Sequence, residues 1–216
     1  MGEPLEGRVG LLGDVHGEEV LLEKALIELS RAGATQILCT GDIADGMGSI
    51  DRCCKLLQEF GVLAVRGNHD RWLTANQMRD LPNATRAETI ERGSLRYIEE
   101  LPLKRRFESC LGGVLLCHGL GCNDMAKVSA DDFGYALESN DELRGLIVNP
   151  DVQIVLNGHT HQPLLRHFDG LTLVNGGTLF RDHDPGYVVL DFVSGAVVWY
   201  PLGGGSSARE LGNLVG

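Results

Sequence analysis

The chain has 216 residues, of which 43% are hydrophobic, and its formal net charge at pH 7 is −11. This length suits a single domain with a substantial core, and no apolar run approaches the ~20 residues that a membrane-spanning helix needs. The acidic balance argues against nonspecific binding to nucleic acids or anionic membranes, because such binding requires a basic face. The first residues lack a hydrophobic signal segment, so we expect a cytoplasmic protein.

The first half of the chain predicts three parallel strands joined by two helices. Short apolar runs at residues 9–12, 37–39 and 62–65 are typical of buried strands. Residues 18–32 and 49–60 carry apolar side chains at helical spacing. Strands and helices that alternate in this way predict a βαβαβ unit.

The middle of the chain combines further strands with long polar segments. Apolar runs at residues 114–117 and 154–156 predict two more strands. The segments 71–109 and 120–150 are polar and have helical potential. Because each leaves from a strand end that carries polar residues, we expect both segments to form walls over a site.

Closely spaced β-strands are predicted after residue 161. The runs 171–174, 187–192 and 196–200 have strand character, and residues 191–195 are typical of a hairpin turn. We expect these strands to form a second, largely antiparallel sheet that packs on the first.

The C-terminal residues have a different composition. Residues 203–207 are rich in Gly and Ser, which predicts a flexible connector followed by a mobile end. We therefore divide the chain into one domain, residues 1–202, and a connector with a C-terminal tail, residues 203–216.

Polar motifs follow five of the predicted strands directly. They are GDVHG at 13–17, GDIAD at 41–45, GNHD at 67–70, HG at 118–119 and GHTH at 158–161, and they contain five of the seven histidines. In an open α/β sheet, ligands bind at the carboxyl ends of the strands. Carboxylate oxygens and imidazole nitrogens gathered there are typical of a transition-metal site. A purely structural role would require each of these buried polar groups to be satisfied separately.

The five motifs, in this order, resemble those of the calcineurin-like metallophosphoesterases. The resemblance covers about residues 8–195, and the short length and the GDVHG motif are most similar to the small bacterial phosphodiesterase-type members. It implies an α/β fold, a four-layer αββα sandwich with mixed sheets and a two-metal site at the strand carboxyl ends.

The resemblance also implies a ligand for each metal position. The first ion would be held by Asp14, His16 and His161, the second by Asn68, His118 and His159, and Asp42 would bridge both. We expect two divalent transition-metal ions, Mn²⁺ first, with Fe²⁺, Ni²⁺, Co²⁺ and Zn²⁺ suited to the same donors. Such a pair generates a bridging hydroxide that attacks phosphorus in line.

Four residues are candidates for contact with the substrate or for proton transfer. His69 is expected to protonate the leaving group, with Asp45 orienting it; the alternative for Asp45 is a turn-stabilising aspartate. Asn68 and Arg181 are candidate substrate-binding residues, with an ordinary surface arginine as the alternative for Arg181. Asp70 is expected to be structural.

Several functions remain open at this point. The leading hypothesis is hydrolysis of a phosphodiester or small organic phosphate. A serine/threonine protein phosphatase is weakened because Gly46 and Met47 follow Asp45, where many such enzymes carry an arginine. A dinucleoside polyphosphate hydrolase is a further variant. A non-catalytic scaffold, like the retromer subunit that has lost metal ligands, is disfavoured because every ligand position is filled. The sequence specifies neither the substrate nor the oligomeric state.

Overall fold

The computed structural model describes residues 4–203 and 207–216. Its first part runs β1 (Arg8–Leu12), α1 (Glu19–Arg31), β2 (Gln36–Cys39), α2 (Ile50–Glu59) and β3 (Leu63–Ala64). The middle follows with α3 (Asn68–Thr74), α4 (Arg92–Glu100), β4 (Lys104–Ser109), β5 (Gly112–Cys117), α5 (Tyr135–Glu138) and α6 (Asp141–Ile147). The last part is β6 (Ile154–Asn157), β7 (Pro163–Phe168), β8 (Leu171–Gly176), β9 (Gly186–Asp191), β10 (Ala196–Pro201) and β11 (Arg209–Asn213).

Two mixed sheets form the centre of the fold. One has the strand order β11-β10-β9-β1-β2-β3 and the other β4-β5-β6-β8-β7. The predicted βαβαβ unit is confirmed, since β1 pairs in parallel with β2 and β2 pairs in parallel with β3. In the second sheet, β6 lies parallel to both β5 and β8.

Three apolar clusters define four layers. The cluster between the sheets includes Leu11 and Val188 from one sheet and Leu116 and Leu156 from the other. A second cluster packs α1, α2 and α4 on the outer face of the first sheet, and a third packs α6 and its neighbouring loops on the outer face of the second. The buried face of α1 shows the expected helical spacing, with Leu22, Ala25, Leu26 and Leu29 inward. The αββα sandwich is therefore confirmed.

The expected grouping of the late strands was wrong. Only β8 enters the second sheet, in parallel with β6, whereas β9 and β10 extend the first sheet, with β9 antiparallel to β1. The physical reason is that the connection over residues 177–185 crosses from one sheet to the other, so strands adjacent in sequence are not adjacent in space. The hairpin between β9 and β10 is confirmed, with Gly195 N donating to Asp191 O at 2.7 Å.

The C-terminal tail contains regular structure that its composition did not predict. Strand β11 pairs antiparallel with β10, and Leu214 is buried between the sheets. The expected mobile end is therefore wrong for these residues. Residues 204–206 of the predicted connector lie outside the described residues, and the division of the chain at residue 202 stays a prediction.

The long polar segments contain helices, as expected, namely α3 and α4 in the first and α5 and α6 in the second. Strands β4 and β7 were not predicted, and each lies at an edge of the second sheet. Within the described residues, no helix combines the length and the apolar character that crossing a bilayer requires.

Candidate metal centre

The loops after β1, β2, β3, β5 and β6 converge at one edge of the sandwich, and their backbone is unusual. His16, Asp42, His159 and His161 have φ values of 45°, 46°, 70° and 61°. Residues other than glycine adopt this left-handed region at a cost of order 1–3 kcal/mol, and they do so mainly at functional sites. These four are among the seven residues predicted to bind metal, although other described residues, such as Asp45 and Asn83, also have positive φ.

Asp14, His16 and His161 form the first group of possible metal ligands. Asp14 Oδ2 lies 3.1 Å from His161 Nε2, and the Nε2 atoms of His16 and His161 are 3.1 Å apart. Nδ1 of His16 donates to the carbonyl oxygens of Ala44 and Asp45, at 3.1 and 2.9 Å. These bonds fix the ring so that Nε2 faces the other donors, which is how the second nitrogen of a metal-binding histidine is usually held.

Asp42, His118 and His159 form a second group within reach of one ion. His118 Nε2 lies 3.3 Å from Asp42 Oδ2 and 2.9 Å from Asn68 Oδ1, while its Nδ1 donates to Thr40 O at 2.9 Å.

Asp42 also belongs to a further group with His16 and His69, and its Oδ2 is 4.0 Å from His16 Nε2. The carboxylate of Asp42 thus lies between the two sets of donors.

Burial and neighbouring charges together shift the pKa values of these groups. Burial by itself would raise the pKa of Asp42, but the neighbouring His118 and His16 hold it well below its ordinary value. Burial by itself would lower the pKa of His118, but Asp42 and Asp14 raise it to about 10. Burial lowers the pKa of His16 and His159, which keeps these rings in the neutral form that binds metals.

His69 and Asp45 lie beside the donor groups and form a hydrogen-bonded pair. His69 Nδ1 is 2.8 Å from Asp45 Oδ2. Burial opposes the charged form of His69, but the Asp45 bond and the charge of Asp42 raise its pKa above the ordinary value. Burial would likewise raise the pKa of Asp45, but its bonds from His69 and Arg79 lower it.

Arg79 is a contributor that sequence reasoning missed. Its Nη1 and Nη2 donate to the two carboxylate oxygens of Asp45 at 2.8 and 2.9 Å, and the Arg79 side chain is only 10% exposed. Thr85 N also donates to Asp45 Oδ1, at 2.8 Å. No motif surrounds Arg79, so nothing in the sequence distinguished it from other arginines of the segment 71–109.

Asp70 has the structural role that we expected. Its Oδ1 accepts bonds from Ile43 N and Ala44 N at 2.9 and 3.0 Å, and its Oδ2 accepts from Gly67 N at 3.0 Å. It therefore joins the start of α3 to the loop after β2. Burial and the charge of Asp42 raise the pKa of Asp70 to about 6.

Arg181 lies apart from the donor groups. Its Nε and Nη2 donate to the two carboxylate oxygens of Glu18, each at 2.7 Å. This bidentate pair anchors a loop that carries Phe180 and His183. The ring centroid of Phe180 lies 5.7 Å from that of His16, and Nδ1 of His183 lies 2.8 Å from Nδ1 of His161. The structure does not bring the Arg181 guanidinium to the donors, and a substrate-binding role for it stays a prediction.

A cavity of about 170 Å³ opens beside the donor groups. It is lined by His16, Asp45, His69, Pro82, Asn83, His161 and Phe180. A small group held there would contact both His69 and ligands of the first donor group.

Comparisons with known proteins agree with this arrangement. A family model described as the calcineurin-like phosphoesterase superfamily domain matches residues 8–195. An uncharacterised protein of Methanocaldococcus jannaschii is 22% identical over 199 residues, which are 86% of this chain and 75% of that protein.

Solved structures share the fold at low sequence identity. A hypothetical protein of Pyrococcus horikoshii superimposes with a TM-score of 0.70 at 16% identity, over 89% of this chain and 86% of that one. A metallophosphoesterase of Sphaerobacter thermophilus gives a TM-score of 0.66 at 19% identity, over 92% and 89% of the two chains.

Proposed function

This chain belongs to the calcineurin-like phosphoesterase superfamily, and on that premise we propose that it is a dinuclear metal-dependent phosphoesterase. Its substrate would be a phosphodiester or a small organic phosphate. The observation that supports the proposal most directly is the position of Asp42. Its carboxylate is grouped with His16 on one side and with His118 and His159 on the other.

The chemistry of the donors fits two divalent ions. Asp14, His16 and His161 would hold one ion, Asn68, His118 and His159 the other, and Asp42 both. Asp14 and Asp42 are 0% and 1% exposed, and buried carboxylates are normally paired with cations or coordinate metals. Mixed nitrogen and oxygen donors suit Mn²⁺, Fe²⁺, Co²⁺, Ni²⁺ or Zn²⁺. Two such ions, when bound, supply a nucleophile from water near neutral pH and offset negative charge on the phosphoryl oxygens.

The side chains next to the donors would handle the leaving group. His69 in its imidazolium form would give a proton to the leaving oxygen. Because Asp45 holds Nδ1 of His69, the proton would come from Nε2. Asp45 also stabilises the charged ring and raises the pKa of His69, which favours its acid form.

The experiment that tests this proposal measures hydrolysis of bis-p-nitrophenyl phosphate with Mn²⁺. We expect turnover that EDTA abolishes, and a fall in kcat/KM of about 10³-fold or more in Asp42→Asn, because the shared donor is lost. Asp151→Asn, at an exposed turn far from the site, is the matched control. Circular dichroism of both variants separates loss of activity from loss of folding.

Two outcomes would contradict the proposal. One is the absence of turnover by wild-type protein on a panel of mono- and diesters with Mn²⁺, Fe²⁺, Ni²⁺ and Mg²⁺. The other is protein that, purified without chelator, holds no metal and gains none on addition of Mn²⁺, which would favour a scaffold on the same fold.

A protein phosphatase is the second candidate, favoured by the Asp45–His69 pair. Turnover of phosphopeptides and diesters by one preparation distinguishes the two. We expect the diesters to be preferred, and a strong preference for phosphopeptides would reverse the assignment.

A further inference from the structure

A second, larger cavity adjoins the one beside the donor groups. Its volume is about 460 Å³, and its walls are residues 46–51 on one side and residues 83–86 with Thr89 and Ile90 on the other. Asn83 lines both cavities, and the second cavity begins at Gly46, directly after Asp45 of the first. The two cavities therefore adjoin at Asn83 and at the Asp45–Gly46 peptide.

A wall of the second cavity is tied to Asp45 through Thr85. Asp45 N donates to Thr85 Oγ1 at 2.9 Å, and Thr85 N donates to Asp45 Oδ1 at 2.8 Å. Arg79 Nη1 donates to Thr85 O at 2.6 Å as well as to the Asp45 carboxylate. The second cavity is thus held in place by the partner of His69, so its position relative to His69 is constrained.

The second cavity presents an unpaired cation. Arg86 is exposed, and across residues 4–203 and 207–216 its guanidinium has no hydrogen bond or ion pair, unlike those of Arg79 and Arg181. The acid of the lining, Asp51, is already engaged, since its Oδ1 accepts from Glu91 N at 2.9 Å. The exposed side chain of Met47 adds apolar surface.

We propose that this cavity is the leaving-group subsite and takes an anionic, nucleotide-sized group. The inference rests on the proposed function, in which His69 protonates the leaving oxygen, because the leaving group then extends from the His69–Asp45 side of the first cavity. The substrate is a phosphodiester or phosphoanhydride whose leaving group is itself a nucleoside phosphate. The attacking water releases one proton to solvent and forms the new P–O bond, the P–O bond to the nucleotide breaks, and the proton of His69 goes to the leaving oxygen. Solvent then reprotonates His69, so the net change is hydrolysis.

The volumes agree with this division of the substrate. Pockets for organic ligands usually measure about 300–1,000 Å³, a range that includes the second cavity and not the first. The smaller cavity suits the phosphoryl group. Arg86 would pair with phosphate oxygens of the leaving nucleotide, and Met47 would contact its apolar part.

The test is titration calorimetry with AMP in the presence of EDTA. EDTA removes metal ions to which a phosphate could bind, and the difference between wild type and Arg86→Ala then reports on the Arg86 cavity. We expect wild-type protein to bind AMP, and Arg86→Ala to bind it about five- to tenfold more weakly, since a charge-assisted bond is lost. Arg92→Ala is the matched control, because Arg92 is an exposed arginine of α4 that lies outside the cavity lining.

Further probes make the result decisive. Met47→Glu, which places a negative charge at the cavity, should weaken AMP binding as Arg86→Ala does. In assays with Mn²⁺ and diadenosine tetraphosphate, Arg86→Ala should raise KM by a larger factor than it lowers kcat, relative to wild type. The inference is overturned if AMP does not bind, if Arg86→Ala binds it as wild type does, or if inorganic phosphate binds as tightly as AMP. Failure of the phosphoesterase assignment would appear separately, as the absence of bis-p-nitrophenyl phosphate hydrolysis by wild-type protein.

Discussion

The carboxylate of Asp45 is shared between two cationic side chains. Asp45 accepts one hydrogen bond from His69 and two from Arg79, and it is 6% exposed. Because the charge of Asp45 is divided in this way, Arg79 competes with the His69 imidazolium for the same acceptor. Arg79 is therefore a positioning residue that sets how strongly Asp45 holds the proton of His69.

This competition predicts a shift of the pH profile in Arg79→Ala. In wild type, activity should fall as pH rises through the raised pKa of His69, since only the imidazolium can protonate the leaving group. Without Arg79, Asp45 stabilises the His69 imidazolium more, so the alkaline limb of the pH–activity profile should move to higher pH. Because His69 is then a weaker acid, kcat for substrates with poor leaving groups should fall about tenfold. The measurement is kcat against pH for a p-nitrophenyl and an alkyl phosphodiester.

A purely structural role for Arg79 would give a different result. The variant should lose about 1–3 kcal/mol of unfolding free energy, because a buried carboxylate loses a partner, but lower stability alone does not move the alkaline limb. A limb that stays in place while both diesters slow equally would contradict the positioning role. Arg96→Ala, at an exposed position of α4, controls for the change in net charge.

At the scale of the elements, the loops after β1 and β2 interlock. Val15 N and His16 N both donate to Asp42 O, at 3.0 and 2.8 Å. A Cβ on Gly46 would fall on the carbonyl oxygen of His16, which is backbone and cannot rotate away. The glycine is therefore required by close approach of the two loops that carry the donors.

Gly46→Ala should displace His16 and weaken metal binding. We expect a higher Mn²⁺ concentration for half-maximal activity and a lower melting temperature. The control is Gly93→Ala in α4, where an added Cβ meets nothing within 4 Å and should stabilise the helix by up to ~1 kcal/mol. A Gly46→Ala protein with wild-type Mn²⁺ dependence would show that the loops can separate without cost.

The same comparison of elements shows what the sequence could predict. Four of the five strands before the motifs, β1, β2, β5 and β6, lie inside a sheet, and β3 lies at an edge. All five coincide with short apolar runs, so the sequence predicted both their positions and the donors that come after them. Strand β7 contains Pro163 and Arg166 and lacks alternation, and only Phe107 is buried in β4, so these edge strands gave no periodic signal. The sheet that β9 joins depends on partners distant in the chain, which no local pattern specifies.

At the scale of the whole molecule, the donors come from both sheets. Asp14, His16, Asp42 and Asn68 follow strands of the first sheet, whereas His118, His159 and His161 follow strands of the second. Protein groups already connect the two sides, since His159 N donates to both oxygens of Asp14 at 3.0 Å. Bound ions would add a second connection between the sheets at this edge, where the carboxylates of Asp14 and Asp42 are buried.

Metal should therefore stabilise the whole fold rather than one loop. A ligand that binds only the folded state at 100 times its Kd stabilises it by about 2.7 kcal/mol, which for a chain of this size raises the melting temperature by roughly 5–10 °C. We expect such a rise with Mn²⁺ in differential scanning calorimetry, reversed by EDTA. Asp42→Asn should lose most of the rise, because both ions lose a ligand, while Asp151→Asn keeps it. If Mn²⁺ raises the melting temperature equally in both variants, the stabilising ion binds elsewhere. If the rise in Asp42→Asn is about half that of wild type, only one of the two ions depends on Asp42.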